Sequence, residues 1–205
     1  MSIVKLNNRS VKDITAFGSI TSLGSLTHIA TQTASSTSSI SFTSGIDSTY
    51  KEYIFYFVNM HPSASSQGGF QFNGSDDSSS HSYDIIKTTT LFRAYHFEND
   101  GGNGLGYRTN SDNAQSSGYQ RLTDDDDVGT DSDSSASGFL HLFNPSSTTF
   151  VKHFISRFNN NQSDSFTIDT SMAGYFNTTN AITALDFKFG SGNIDSGQIL
   201  LFGLN

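Results

Sequence analysis

The 205-residue chain is 34% hydrophobic and 15% charged, carries a formal charge of −8, and contains no cysteine. Eleven Lys and Arg with no basic stripe argue against attachment to nucleic-acid phosphates, and the missing thiols exclude disulfides and thiol chemistry. No stretch is apolar enough to span a bilayer, and the opening residues lack the apolar core of a signal peptide, so the expectation is cytosolic synthesis with no membrane partner.

In chain order, residues 1–22 stand apart. Ile3, Val4, Leu6, Val11, Ile14 and Phe17 are too many for a solvated tail and too irregular for an independent core element, and Gly18 and Gly24 stop any helical turn. The segment reads as an arm that docks on a partner, with a first strand or an edge covering as the alternative. Residues 23–205 then read as one β domain. Leu26 to Thr33 is a weak strand. Ser38 to Ser44 alternates, with Ile40 and Phe42 inward. Gly45 to Ser48 turns the chain. Glu52 to Met60 is apolar on both faces, Tyr53, Phe55 and Phe57 on one and Ile54, Tyr56 and Val58 on the other. Such a strand is central in its sheet or has its outer face covered by another subunit. Phe70 and Phe72 mark the next strand, and Ile85 to Phe97 a longer one.

Residues 98–137 hold little apolar content beyond Leu105, Tyr107, Tyr119, Leu122 and Val128. A loop of that length is uncommon in a compact domain unless it is functional or ordered by a partner. It is expected at a subunit boundary or an outward tip, interrupted by a short hairpin around Tyr107 and Tyr119 to Leu122. Tyr95, Tyr107 and Tyr119 are its candidate interface residues. Phe139 to Phe143, Phe150 to Phe158, Ser165 to Asp169, Ala173 to Asn177, Thr183 to Phe189 and Gln198 to Leu204 complete the series. The predicted fold is all-β, a jelly-roll-like antiparallel sandwich of about ten strands preceded by the arm.

Chemistry-bearing motifs are sparse. Asp124, Asp125, Asp126 and Asp127, with Asp131 and Asp133, are candidate ligands for a hard cation, yet their spacing is not that of a calcium loop. A solvated acidic loop tip is the favoured reading. His28, His61, His81, His96, His141 and His153 show no metal-ligand spacing, although the turn from Asn144 to Ser147 places His141 and His153 on neighbouring strands. Glu occurs only at Glu52 and Glu98, which leaves the carboxylate pair of a glycosidase without obvious donors. No nucleophile elbow, phosphate loop or dinucleotide fingerprint occurs. No catalytic residue and no cofactor are therefore assigned. Tyr, Asn and Asp between Tyr95 and Tyr119 also suit stacking on glycans, but subunit contact is the preferred reading.

Three segments carry a resemblance. Thr31 to Tyr50 leading into Tyr53 to Pro62, His141 to His153, and the closing Gly192 to Gly203 resemble virion structural proteins of marine tailed phages of the cyanophage and pelagiphage kind. The resemblance spans roughly residues 28–205. It implies a non-enzymatic protein of the particle surface, a capsid decoration or head-fibre protein, made in the host cytoplasm. Expected partners are other virion proteins and further copies of the chain, with a trimer favoured. The alternative is a tail-fibre module that recognises host-surface glycan.

Overall fold

The computed structural model describes residues 26–64, 68–125, 128–162 and 165–204. The proposed arm, including Ile3, Val4, Leu6, Val11, Ile14 and Phe17, lies outside the described residues, as do Asp126 and Asp127. Among the described residues there are twelve strands and no helix: β1 (Leu26–Thr33), β2 (Ile40–Phe42), β3 (Glu52–Pro62), β4 (Phe70–Ser75), β5 (Lys87–Phe97), β6 (Asn103–Tyr107), β7 (Gln120–Arg121), β8 (Ala136–Phe143), β9 (Lys152–Gln162), β10 (Phe166–Phe176), β11 (Ala184–Phe189) and β12 (Ile194–Leu204).

All strand pairs are antiparallel. They form an eight-stranded sheet, β1-β12-β3-β8-β9-β10-β5-β6, and a four-stranded sheet, β2-β11-β4-β7. With β5, β6, β9 and β10 set aside, the remaining eight strands fall four to each sheet, and the chain changes sheet at every step except that from β4 to β7. The β5–β6 and β9–β10 hairpins extend one side of the larger sheet.

The core between the sheets is built of phenylalanine. Strand alternation sends Phe55 and Phe57 of β3, Phe70 and Phe72 of β4, and Leu185, Phe187 and Phe189 of β11 to the same interior. Phe187 is its hub, with ring centroids 5.2 Å from Phe55, 5.1 Å from Phe57, 6.2 Å from Phe42, and 6.4 Å from both Phe70 and Phe72. Phe154, Phe158 and Phe176 carry the cluster under the inserted hairpins. Each well-placed ring pair contributes about 0.5–1.5 kcal/mol beyond its area burial. A chain poor in aliphatic residues thus gathers its core from fewer, larger side chains.

Glycine admits two close approaches in the larger sheet. A Cβ on Gly138 would lie 2.3 Å from the Arg157 carbonyl oxygen, and one on Gly174 would lie 2.6 Å from that of Thr88. Two lysines are buried as well. Lys87 Nζ donates to the Gly118 carbonyl at 2.6 Å, and Lys152 Nζ donates to those of Phe150 (3.0 Å) and Thr178 (3.1 Å). Both ammonium groups tie connecting segments to strand ends.

Several expectations need correction. The strand count is twelve, and Ser165–Asp169 and Ala173–Asn177 belong to one strand, β10, paired along its length with both β9 and β5. Tyr107 and Tyr119–Leu122 form no hairpin, since β6 lies in the larger sheet and β7 in the smaller. The 98–137 segment is not a projecting loop. After β6 it runs along the free edge of β5, where Arg108 N bonds Leu91 O, Thr89 N bonds Asn113 O, and Lys87 and Ser116 exchange backbone bonds. It then buries Ser111, Gln120, Leu122, Thr123, Asp124 and Val128. Its polar composition serves an internal hydrogen-bond network, as Gln120 Nε2 donating to Ser111 O and Thr89 Oγ1 donating to Gln120 Oε1 illustrate.

Candidate functional site

Asp124, which opens the acidic run, is likewise not part of a solvated tip. Asp124 is fully buried, forms ion pairs through Oδ2 with Arg93 Nη1 (2.6 Å) and Arg108 Nε (2.9 Å), and accepts hydrogen bonds at Oδ1 from Arg108 Nε (3.0 Å) and Ser111 Oγ (2.8 Å). Asp125 pairs with Arg108, and Arg121 Nη1 lies 4.0 Å from it. Burial pushes the Asp125 carboxyl up, but hydrogen bonds from Arg108 and Asp124 and the charges of Arg108 and Arg121 outweigh it and hold the group below its ordinary value. Asp133 sits elsewhere, beside His61 and Ser134. Among the described residues no group of three or more His, Cys, Asp or Glu is placed to hold a metal.

The three tyrosines singled out from the sequence do not converge. Tyr95 turns inward at the end of β5 against Phe97 and Phe166. Tyr107 lies on edge strand β6, 54% exposed, and donates to Asp112. Tyr119 lies across the outer face of the four-stranded sheet, where its hydroxyl donates to Asp186 Oδ2 at 2.9 Å.

That last contact is the centre of a polar groove. Ser41, Asp186 and Asn73 are register partners on β2, β11 and β4, on the face opposite the phenylalanine core. Asp186 is only 3% exposed, and its second oxygen accepts from Ser41 Oγ at 2.5 Å. Asn73 Nδ2 donates to the carbonyls of Tyr83 and Ser117, pinning both flanking loops over the sheet. Tyr83 takes up a positive φ of 47° there. Lys188, two residues from Asp186 on the same strand face, holds its ammonium 4.1 Å from the Tyr119 ring centroid. Burial, then the charge and hydrogen bond of Asp186, raise the Tyr119 phenol above its ordinary value. Burial and Asp186 raise Tyr83 also, against a hydrogen bond from Ser41. Both hydroxyls therefore stay protonated donors at neutral pH.

The groove has two lobes. One, of about 390 Å³, is lined by Ser39, Ser41, Tyr83, Tyr119, Asp186 and Lys188. The other, of about 410 Å³, is lined by Gln71, Asn110, Asp112, Asn113, Tyr119 and Arg121. Tyr119, Gly190 and Ser191 are common to both, so the lobes adjoin. The signal for Asp186 and Lys188 was present in the sequence. Polar residues at alternate positions of Leu185–Phe189, whose other face is core, must line the outside of the smaller sheet.

A second surface is apolar. On the face of the larger sheet turned away from the core, aromatic contacts run His28–Phe202 (5.3 Å), Phe202–Tyr56 (5.7 Å) and Phe139–His141 (5.0 Å) across β1, β12, β3 and β8. Ile155 follows on β9, beside a shallow depression of about 370 Å³ over Ala173 and Thr90. Phe92, Tyr107 and Leu105 carry the belt to the far edge, and Leu105 is 75% exposed. His141 and His153 lie on this face of the paired strands β8 and β9, as the turn between them predicts. His141 bonds Glu52, and the His153 ring lies 6.0 Å from that of Tyr175. The strand from Glu52 to Met60 is central, as expected, with β12 and β8 on its sides.

Comparison with known proteins finds no matching family model, no matching curated protein and no matching solved structure.

Proposed function

We propose that the chain is a non-enzymatic structural protein of a phage particle surface, a capsid decoration or head-fibre protein that assembles as a symmetric homo-oligomer, with a trimer favoured. The observation that carries this reading is the apolar belt. Tyr56, Val58, Ile155, Phe92, Leu105 and Tyr107 are exposed on one sheet face of a chain whose core is already complete without them. A sheet face that exposes this many large apolar side chains, interrupted at Arg157 and Ser171, marks a protein contact, and the occupant is a second copy of the chain. The eight strands divided four to each sheet support a jelly-roll-like frame, with the two inserted hairpins widening the face that meets the neighbouring subunit. The three segments that resemble marine-phage virion proteins point the same way.

Size-exclusion chromatography with light scattering tests the assembly. Wild-type protein is expected as a trimer, and a Phe92→Glu/Ile155→Glu double variant as a folded monomer. A monomeric wild type removes the reading. Locating the protein in an electron-microscopy map of the particle tests the surface position. Incorporation after deletion of residues 1–20 tests the anchoring arm.

A second reading, a tail-fibre module that recognises host-surface glycan, has its own observation: the two-lobed groove around Tyr119 and Asp186.

A further inference from the structure

The groove's floor is built, and its hydrogen-bonding capacity is only partly used. Asp186 is more than nine-tenths buried, and its carboxylate, able to accept about four hydrogen bonds, receives two from the protein, from Ser41 and Tyr119. Asp186 itself lines one lobe of the groove. The Lys188 ammonium has three donors, and its contact within the chain is with the Tyr119 ring rather than with an acceptor. In the other lobe, Asn113 spends its amide nitrogen on Tyr119 O and Gln120 Oε1, leaving its side-chain oxygen. Gln71 and Asn110 line the lobe with side-chain amides that are not used inside the chain. Arg121, in contrast, is committed to the carbonyls of Gly68 and Asn110.

Charge and geometry narrow the ligand. Asp112 and Asp186 balance Arg121 and Lys188, so the groove carries no net formal charge to hold a phosphate or another strong anion, and a buried carboxylate at its floor opposes one. Its walls offer donors and acceptors side by side: an amide at Gln71, another at Asn110, and a carboxylate beside an ammonium at Asp186 and Lys188. Vicinal hydroxyl groups, each both donor and acceptor, match this pattern. The Tyr83 and Tyr119 rings add apolar surface suited to the C–H face of a sugar ring. Each lobe falls within the size range of small-molecule sites, about 300–1,000 Å³, and two adjoining lobes suit more than one linked unit.

From these features we infer that the groove on the outer face of the four-stranded sheet is a binding site for a neutral carbohydrate, with Asp186 and Lys188 gripping the hydroxyls of one sugar unit and Gln71 and Asn110 those of the next. This inference rests on the glycan-recognition reading and assigns that reading a place and a ligand class.

The test uses the full chain. Amide chemical shifts are followed while neutral methyl glycosides (gluco, manno, galacto and N-acetylglucosaminide) are added, with glucose 6-phosphate and inorganic phosphate as anionic probes. The expected result is a saturable shift at Tyr83, Tyr119, Lys188 and Gly190–Gly192 with at least one neutral glycoside. Binding is expected to weaken about tenfold or more in Tyr119→Ala and to vanish in Ser191→Trp, which fills the bridge between the lobes from an exposed loop position. Phe92→Glu, on the opposite face, is expected to bind as wild type does. Should Asp186→Asn fail to fold, Lys188→Ala and Ser191→Trp still decide the matter, since neither side chain supports the core. Saturable sugar binding that Ser191→Trp leaves intact overturns the site while glycan recognition stands. A larger groove response to phosphate or to glucose 6-phosphate overturns the ligand class. No saturable response to any glycoside overturns both this inference and the reading beneath it.

Discussion

Arg93 and Asp124 meet at 2.6 Å in the interior, the arginine from β5 and the aspartate from the segment that leads out of β7. The pair joins the inserted β5–β6 hairpin to the connection that returns the chain to the larger sheet, and Arg108 completes it at 2.9 Å. Because the carboxylate is fully buried, its removal takes from Arg93 and Arg108 the charge they share in the interior, although Arg108 keeps Asp125. Asp124→Ala is expected to cost about 3–5 kcal/mol in urea unfolding. A loss under about 1 kcal/mol, the ordinary worth of a surface pair, would show the cluster to be solvated in solution.

The neighbouring Asp125 sets an acid limit. Its folded pKa is depressed, so the stability it contributes is fully present above the ordinary carboxylate value of about 4 and is lost as pH falls through the lower folded value. Chemical-denaturation midpoints are expected to fall below about pH 4 and to do so less steeply in Asp125→Asn. Identical acid limbs in the two proteins would rule this out.

Lys87 acts in the opposite pH range. Burial lowers its ammonium to about 8, against which the charge of Asp84 works only in part. The unfolded chain keeps this proton up to about pH 10.4, so between these values the unfolded state binds more protons and stability rises with pH. At pH 7 the folded protein therefore bears the full cost of the buried charge. Lys87→Met is expected to be as stable as wild type or more so at pH 7. That advantage should shrink by up to about 3 kcal/mol on going to pH 10.5. Taking the difference between the two proteins cancels tyrosine ionisation, which acts on both. A difference independent of pH would contradict the assignment.

Phe187 touches rings from β2, β3 and β4 at once. Phe187→Ala is expected to lose about 3–5 kcal/mol, because its neighbours are held by two sheets and cannot collapse into the space. Phe150, 69% exposed in the turn before β9, serves as the control. Phe150→Ala should fall within about 0.5 kcal/mol of wild type. Comparable losses at the two positions would mean that the core is not organised around Phe187.

Gly138 faces Phe158 across the β8–β9 pair, and any side chain there meets the Arg157 carbonyl before it meets a movable group. Gly138→Ala is expected to cost about 1–3 kcal/mol through displaced backbone, visible as a lower thermal midpoint. An unchanged midpoint would show that β8 and β9 can part without penalty.

The sequence disclosed what repeats locally. Alternation at Ile40 and Phe42 correctly assigns the buried face, and at Tyr53, Phe55 and Phe57 it groups the side chains that share the interior, because a strand has a period of two wherever it sits. It did not disclose partners. Asp124 looked solvated because its run is acidic, while the arginines that neutralise it lie at positions 93 and 108. Tyr119 looked like an interface residue because its carboxylate partner lies at position 186. The division of β10 into two pieces has the same origin. Thr170, Ser171 and Met172 show no clear apolar period, and only flanking by β9 and β5 makes them continuous strand. The 98–137 segment was the hardest to read, since hydrogen bonds made by Gln120, Asn113 and Ser111 replace the apolar periodicity that announces a folded element.

Strand β12 gives the molecule two poles. At one, Leu204 lies opposite Leu26; at the other, Ile194 follows the Gly190–Gly192 rim of the groove, and eleven residues of extended chain set the two about 35 Å apart. A tether joined behind Leu204 leaves from the corner remote from Ser191. The domain can thus be held at that corner, on a sensor chip or on a larger assembly, with the groove at the other pole.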